Sequence, residues 1–290
     1  MNAPGETSDT RAPGPPPGPP GPGSVCWQQM GRWAVLSIGA RALVLQAAHP
    51  VVGAGLHEHS SLQTDLLPRL VRTITSIQRV VYTPPQEAAA EARRLRALHA
   101  RIRGTDSKGR PYHALEPHAY AWVHATLFEG VITYGALSGR RLSLADQKAM
   151  YGEWLAVGQV LGLGRHDLPA SLDGFWDYFR TTVEDQLEDN QAVRDLLGRA
   201  LLHSPPPGRV PPALWQALWP PLARRAARLT LTTLPLPYLH RLGVTVTDRQ
   251  HRRTRRLYTC IAAAERLLPE RHRYLPLAAV ARRSSVTIQP

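Results

Sequence analysis

The stretch AYAWVHATLFEGVITYGAL, Ala119 to Leu137, decides how this chain is read. Helical spacing puts Ala121, His124, Leu127, Phe128, Val131 and Gly135 on one face, so the imidazole of His124 points where the core points. A neutral imidazole among apolar side chains leaves a donor and an acceptor to satisfy, and is expected to hold a hydrogen bond or an iron or other metal. The ordinary reading is a hydrogen-bonded core histidine. Any sharper one must come from the rest of the chain.

Upstream, Trp33 to Ala48 (WAVLSIGARALVLQAA) is apolar but interrupted by Gly39 and Arg41 and ended by His49-Pro50. A membrane span needs roughly 20 apolar residues with few charges, so this predicts a buried core helix and leaves interfacial contact open. Pro50 and the glycines of VVGAG then break the run. Leu56-His57-Glu58-His59-Ser60 packs three ionisable groups into a turn or helix start, without the i, i+4 histidine spacing of a helical zinc site. Leu66 to Val81 predicts a helix with Pro68 in its first turn. Its polar residues Arg69, Arg72, Thr73 and Ser76 face away from Leu70, Ile74, Ile77 and Val81. That polar stripe is either a solvated face or the wall of a pocket whose arginines meet an anion. Thr83-Pro84-Pro85-Gln86 reads as a capping box for a helix from Glu87 to Arg103, ended by Gly104, with its arginines on the surface and some paired to Glu87 and Glu91. Gly104 to Gly109 reads as a loop.

Downstream, Ser143 caps a helix to Val160, and Ser171 caps another carrying Phe175, Trp176, Tyr178 and Phe179. The carboxylates Glu184, Asp185, Glu188 and Asp189 lack a companion Glu-x-x-His, so they read as a solvated helix end rather than a di-metal site. HSPPPGRVPP is a linker, Ala213 to Leu231 is amphipathic, and Asp248 to Leu268 is a last helix. Strand-like alternation is nearly absent, and no period repeats. The expectation is an all-α single domain over 24–283, with a disordered Pro/Gly-rich leader over 1–23 and a flexible tail over 284–290.

The 43% apolar content suffices for a large core. The formal charge of +13 invites nucleic acid or an anionic surface as partner. However, only Lys108 and Lys148 are lysines, the arginines are spread along the chain, and the densest run, Arg249 to Arg256, has no interleaved aromatics for stacking bases. No nucleic acid is expected. Cys26 and Cys260 are too few for a disulfide scaffold or a thiolate metal site, and the opening residues carry no secretory pattern, so the expected location is cytoplasmic.

Four runs in order, Gly39-Ala-Arg-Ala-Leu-Val-Leu-Gln-Ala-Ala-His49-Pro50, His59-Ser60, Arg69-Leu-Val-Arg72-Thr73 and Trp122-Val-His124-Ala-Thr126-Leu, resemble the DUF2236 family. This family contains the latex-clearing rubber oxygenases and the MpaB-type oxygenases. The likeness runs from about Gly21 to about Arg282 and is clearest between Gly39 and Tyr178. It implies an all-α, globin-like multi-helix core holding a b-type haem, and an O2-dependent attack on a carbon–carbon double bond of an apolar, isoprenoid-like substrate. It also implies His124 as the proximal ligand of the haem iron; should His124 not serve, His49, His57 and His59 are the alternative ligands. Arg69, Arg72 and Thr73 fall on the family's distal R-x-x-K-T pattern, and Glu58 lies near the place of its distal glutamate. Arg72 replaces that lysine. An arginine keeps its proton at accessible pH, so no lysine-type closure of the iron is expected. The alternatives are a helical protein that binds haem or an apolar ligand without chemistry, and a basic surface module for nucleic acid or an anionic membrane.

Overall fold

The computed structural model describes residues 20–59, 62–198, 206 and 210–286. Its organising element is the helix α6, Pro117–Ser138, which is buried on nearly every side rather than along one stripe. Trp122, Ala125, Thr126 and Glu129 are enclosed as fully as Ala121, His124, Phe128 and Val131. A helix apolar all round belongs at the centre of a bundle. Its ends are built accordingly: the Glu116 carboxylate accepts from the main-chain N–H of His118 and Ala119, and Gly139 closes the last turn at φ 74.

The other elements are α1 (Val25–Gln29), a 3-10 segment (Trp33–Ile38), α2 (Gly39–Ala48), α3 (Pro50–His59), α4 (Leu62–Tyr82), α5 (Pro85–His99), α7 (Leu144–Leu161) and α8 (Leu172–Thr181). A π-turn (Thr182–Gln186), α9 (Gln191–Leu197), α10 (Pro212–Leu231), α11 (Leu236–Arg241), α12 (Asp248–Leu267), a 3-10 turn (Glu270–His272) and α13 (Pro276–Val286) follow among the described residues. The all-α class is as expected. It admits one small antiparallel hairpin, β1 (Arg103–Thr105) with β2 (Pro111–His113), in which Gly104 lies opposite Tyr112.

α2 and α12 flank α6 most extensively, with α7 on another side. Polar contacts fasten α2 to α6. The Trp122 indole donates to the Leu45 carbonyl (2.8 Å), the Gln46 amide donates to Thr126 Oγ1 (2.9 Å), and the Arg41 guanidinium grips both oxygens of Glu129 (3.0 and 2.7 Å). Arg41 is therefore no interruption of a core helix but a buried polar anchor of it.

Several local expectations are corrected. The Trp33–Ala48 run is two pieces, a 3-10 segment and α2, and α2 turns into α3 at His49-Pro50 with a bend of 98° between the flanking runs. Among the described residues no single helix is long and apolar enough to cross a membrane. The His57–His59 run ends a helix rather than starting one. α4 begins at Leu62, so Pro68 lies inside it. Thr83 makes no capping box: its hydroxyl donates back to the Arg79 carbonyl, and α5 starts on Pro85 with no side-chain cap. α5 ends at His99, and Arg103–Thr105 is strand. Most of the HSPPPGRVPP linker lies outside the described residues.

Candidate functional site

The apolar neighbours that predicted burial for His124 enclose it completely, and the details of that enclosure come from α7. The imidazole lies flat against the Trp154 indole, centroids 4.3 Å apart and planes 5° off parallel. His124 Nε2 donates to the Trp154 carbonyl at 2.7 Å, while Trp154 Nε1 donates to the His124 carbonyl at 2.9 Å. The two residues thus clamp each other reciprocally across the α6–α7 seam. Gly158, one turn on, makes the approach possible: a Cβ there would stand 3.0 Å from His124 Nε2 and 2.9 Å from Leu163 Cδ1.

Because the partner of Nε2 is a carbonyl, Nε2 carries the hydrogen and Nδ1 carries the lone pair. Nδ1 is buried and has no hydrogen-bond partner. Burial pulls the ring's pKa down to about 4, opposed by the Trp154 carbonyl, so the imidazole is neutral at physiological pH. A cavity of about 200 Å³ adjoins it, lined by His124, Leu155, Gly158, Leu163 and Leu168 among others.

The sequence reading missed a second, half-buried histidine nearby. His99, at the end of α5, also has a buried Nδ1 without a partner and meets the edge of the Tyr120 ring at 5.7 Å. Tyr120 stands one helical turn before His124 and donates to the Leu161 carbonyl of α7 at 3.4 Å. His99, Tyr120, His124 and Trp154 therefore mark one junction of α5, α6 and α7. The His99 pKa is lowered by burial first and then by the positive charges of Arg69 and Arg94.

The remaining expected residues are spread more widely. Arg69 is half-buried, whereas Arg72 and Thr73 are exposed on α4. Glu58 accepts from the Tyr112 hydroxyl at 2.6 Å and so belongs to the hairpin contact; burial and that carboxylate push the Tyr112 pKa up to about 12. His57 is exposed, with Nδ1 3.9 Å from Asp195 Oδ2. His49 is buried at the α2–α3 bend, its Nδ1 without a partner, and burial lowers its pKa to about 4. The side chain of His59 and residue Ser60 lie outside the described residues. Within the acidic run, Glu188 takes Lys108 and Arg110, and Asp189 takes Arg194. No group of three or more His, Cys, Asp or Glu able to hold a metal ion occurs among the described residues.

The donor chemistry fits a haem iron. His124 offers a buried lone pair on Nδ1 while its second nitrogen is fixed on a main-chain carbonyl, an arrangement that orients histidine ligands, and His99 has a buried Nδ1 without a partner. The room is tighter: about 200 Å³ lies below the roughly 300–1,000 Å³ of sites for cofactor-sized ligands, so a macrocycle at His124 requires the α7–α8 connection, which forms much of the lining, to shift.

Comparison with known families gives one finding. The family described as "ER-bound oxygenase mpaB/B'/Rubber oxygenase, catalytic domain" matches residues 27–263. No curated protein and no solved structure matches the chain.

Proposed function

From the premise that the chain belongs to the mpaB/rubber oxygenase catalytic-domain family, we propose that it is a haem b-dependent oxygenase that uses O2 to oxidise or cleave a carbon–carbon double bond in an apolar, isoprenoid-like molecule. The observation that supports this most directly is the buried, neutral His124, whose Nδ1 lone pair has no partner while Nε2 is anchored on Trp154.

The haem, when bound, supplies the activation of O2. The chain's own residues do the rest. Trp154 fixes the tautomer and tilt of His124, and Gly158 leaves space for the ring. Arg69, half-buried on α4 where Arg72 and Thr73 are exposed, would be the cation to offset negative charge if that face meets the bound group. An olefin offers no charge to grip, so it is held by burial among apolar side chains.

A second reading of the ligand follows from the buried, unpartnered Nδ1 of His99: that histidine would then hold the iron, and His124 serves as a core hydrogen-bonding residue. Peripheral membrane contact is also part of the proposal, because an apolar substrate concentrates in bilayers. On α10, Leu214, Leu218 and Leu222 recur at i, i+4 and i+8 and are 51, 54 and 53% exposed, beside the stacked pair Trp215 and Trp219. Between Asp195 and Asp248 the sequence holds no Asp or Glu but includes Arg224, Arg225 and Arg228. Such a composition suits an anionic interface.

The test is a visible spectrum and a pyridine haemochrome assay on protein produced with haem precursor, comparing wild type with His124→Ala and His99→Ala. One b-type haem per chain, lost in His124→Ala alone, is the expected result. Loss in His99→Ala alone moves the ligand to α5. A colourless wild-type protein that takes up no added haemin overturns the haem reading.

A further inference from the structure

A second concavity lies at the far end of α6. Between His124 and Gly139 that helix rises roughly 22 Å, so the two places are separate. This cleft has a volume of about 470 Å³, and its lining includes Arg32, Arg140, Arg141, Arg266 and Arg273, with Glu265 as its one acid.

Part of this arginine cluster has an ordinary structural task. Glu265, 5% exposed, is gripped by Arg32 and by Arg140 at 3.1 Å. Two helices also end here and leave carbonyls unpaired. Arg140 donates to the Ala262 carbonyl of α12, and Arg273 donates to the Leu268 and Arg266 carbonyls at 2.7 and 2.9 Å. These contacts do not explain the whole cluster. One carboxylate faces five guanidinium groups, and the side chains of Arg141 and Arg266 meet no acceptor among the described residues. The crowding is felt inside the cluster: the Arg140 pKa is lowered, first by burial and then by the positive charges of Arg32 and Arg266. A cleft of one sign with protein walls concentrates counter-ions, and guanidinium forks match phosphate oxygens two at a time.

We propose that the Arg141–Arg266 cleft is a binding site for a compact phosphate-class polyanion, a diphosphate or a phosphomonoester headgroup. The volume is in the range of small-molecule sites, and the lining is charged rather than apolar, so the anionic group is what the cleft recognises. Arg32 and Arg140 stay committed to Glu265 and form the floor. Arg141 and Arg266 supply the free donors. The inference does not depend on haem or on the identity of the olefin.

Titration calorimetry on the full chain with inorganic pyrophosphate, in buffer of physiological chloride, tests it. One site per chain is expected. In Arg141→Gln/Arg266→Gln the affinity should fall tenfold or more, since each lost contact is a charge-assisted hydrogen bond, with helical circular dichroism, melting temperature and haem content unchanged. A parallel titration uses dihexanoyl phosphatidic acid below its micelle concentration. Tighter binding of that lipid makes the natural source a lipid headgroup, and tighter binding of pyrophosphate makes it a free anion; both support the site if the double variant abolishes them. Absence of binding by either probe, equal affinity in the double variant, or equal competition by chloride overturns the proposal.

Discussion

Glu129→Gln should be among the most destabilising isosteric substitutions in the molecule. Arg41 and Glu129 are 6% and 4% exposed and meet through two parallel hydrogen bonds, and the Thr133 hydroxyl adds a third donor to the carboxylate. The amide keeps the volume but removes the charge, leaving a buried guanidinium that already has one nitrogen, Nη1, without a partner. Breaking a buried pair from one side costs about 3–5 kcal/mol, because the surviving charge is uncompensated. For a domain of this size each kcal/mol moves the midpoint by about 2–4 °C, so the melting temperature should drop by roughly 6–20 °C. Thermal unfolding followed at 222 nm reads this directly, with urea unfolding as a check on the free energy. The double substitution Arg41→Met/Glu129→Leu supplies the control: it removes both charges at once and should recover most of the loss, since apolar replacement of a buried pair is often neutral. A Glu129→Gln protein melting within about 2 °C of wild type, or a double variant no better than the single one, would refute the reasoning that α2 is held to α6 by this charge pair.

Three further outcomes follow from the same geometry. Gly158→Ala places a methyl 3.0 Å from His124 Nε2 and should destabilise the fold by about 1–3 kcal/mol while reducing haem uptake; a variant with wild-type melting and colour would show that the clamp has slack. In the haem-free folded chain His124 is held to about 4 against an ordinary 6.5. The unfolded chain therefore binds a proton that the folded chain refuses, and stability should be full above pH 6.5 and fall between pH 6.5 and about 4, by up to about 3 kcal/mol for this group. Urea midpoints at pH 7.0 and 4.5 check it, because His124→Gln should show a shallower decline than wild type; parallel declines count against it. Finally, vesicles rich in anionic lipid should pull down the protein at low salt, and Leu214→Ser/Leu218→Ser/Leu222→Ser should weaken that binding about tenfold or more, given the apolar area each leucine buries in an interface. Equal binding by both proteins would remove α10 from the membrane contact.

What the sequence discloses is governed by the range of the interaction concerned. Ser143 and Ser171 were readable because cap and helix are neighbours in the chain, and each does cap its helix. The 3-10 geometry of Trp33–Ile38 was not, since it differs from an α-turn by backbone angles that apolar patterning does not encode. Arg41 looked like a flaw in an apolar run because its partner is far away on α6. The two histidines show the same limit at the site itself. His124 announces its burial through its own neighbours, Trp122, Ala125 and Phe128, which are apolar in sequence and packed in space. His99 sits among Arg93, Arg94, Arg96, Arg101 and Arg103, a local pattern of solvated charge, and is covered only because α5 folds back against α4 and presents it to Tyr120. A histidine hidden by its tertiary setting leaves no periodic trace. Comparing haem content in the two alanine variants therefore decides between a ligand legible in one dimension and a ligand that exists only in three.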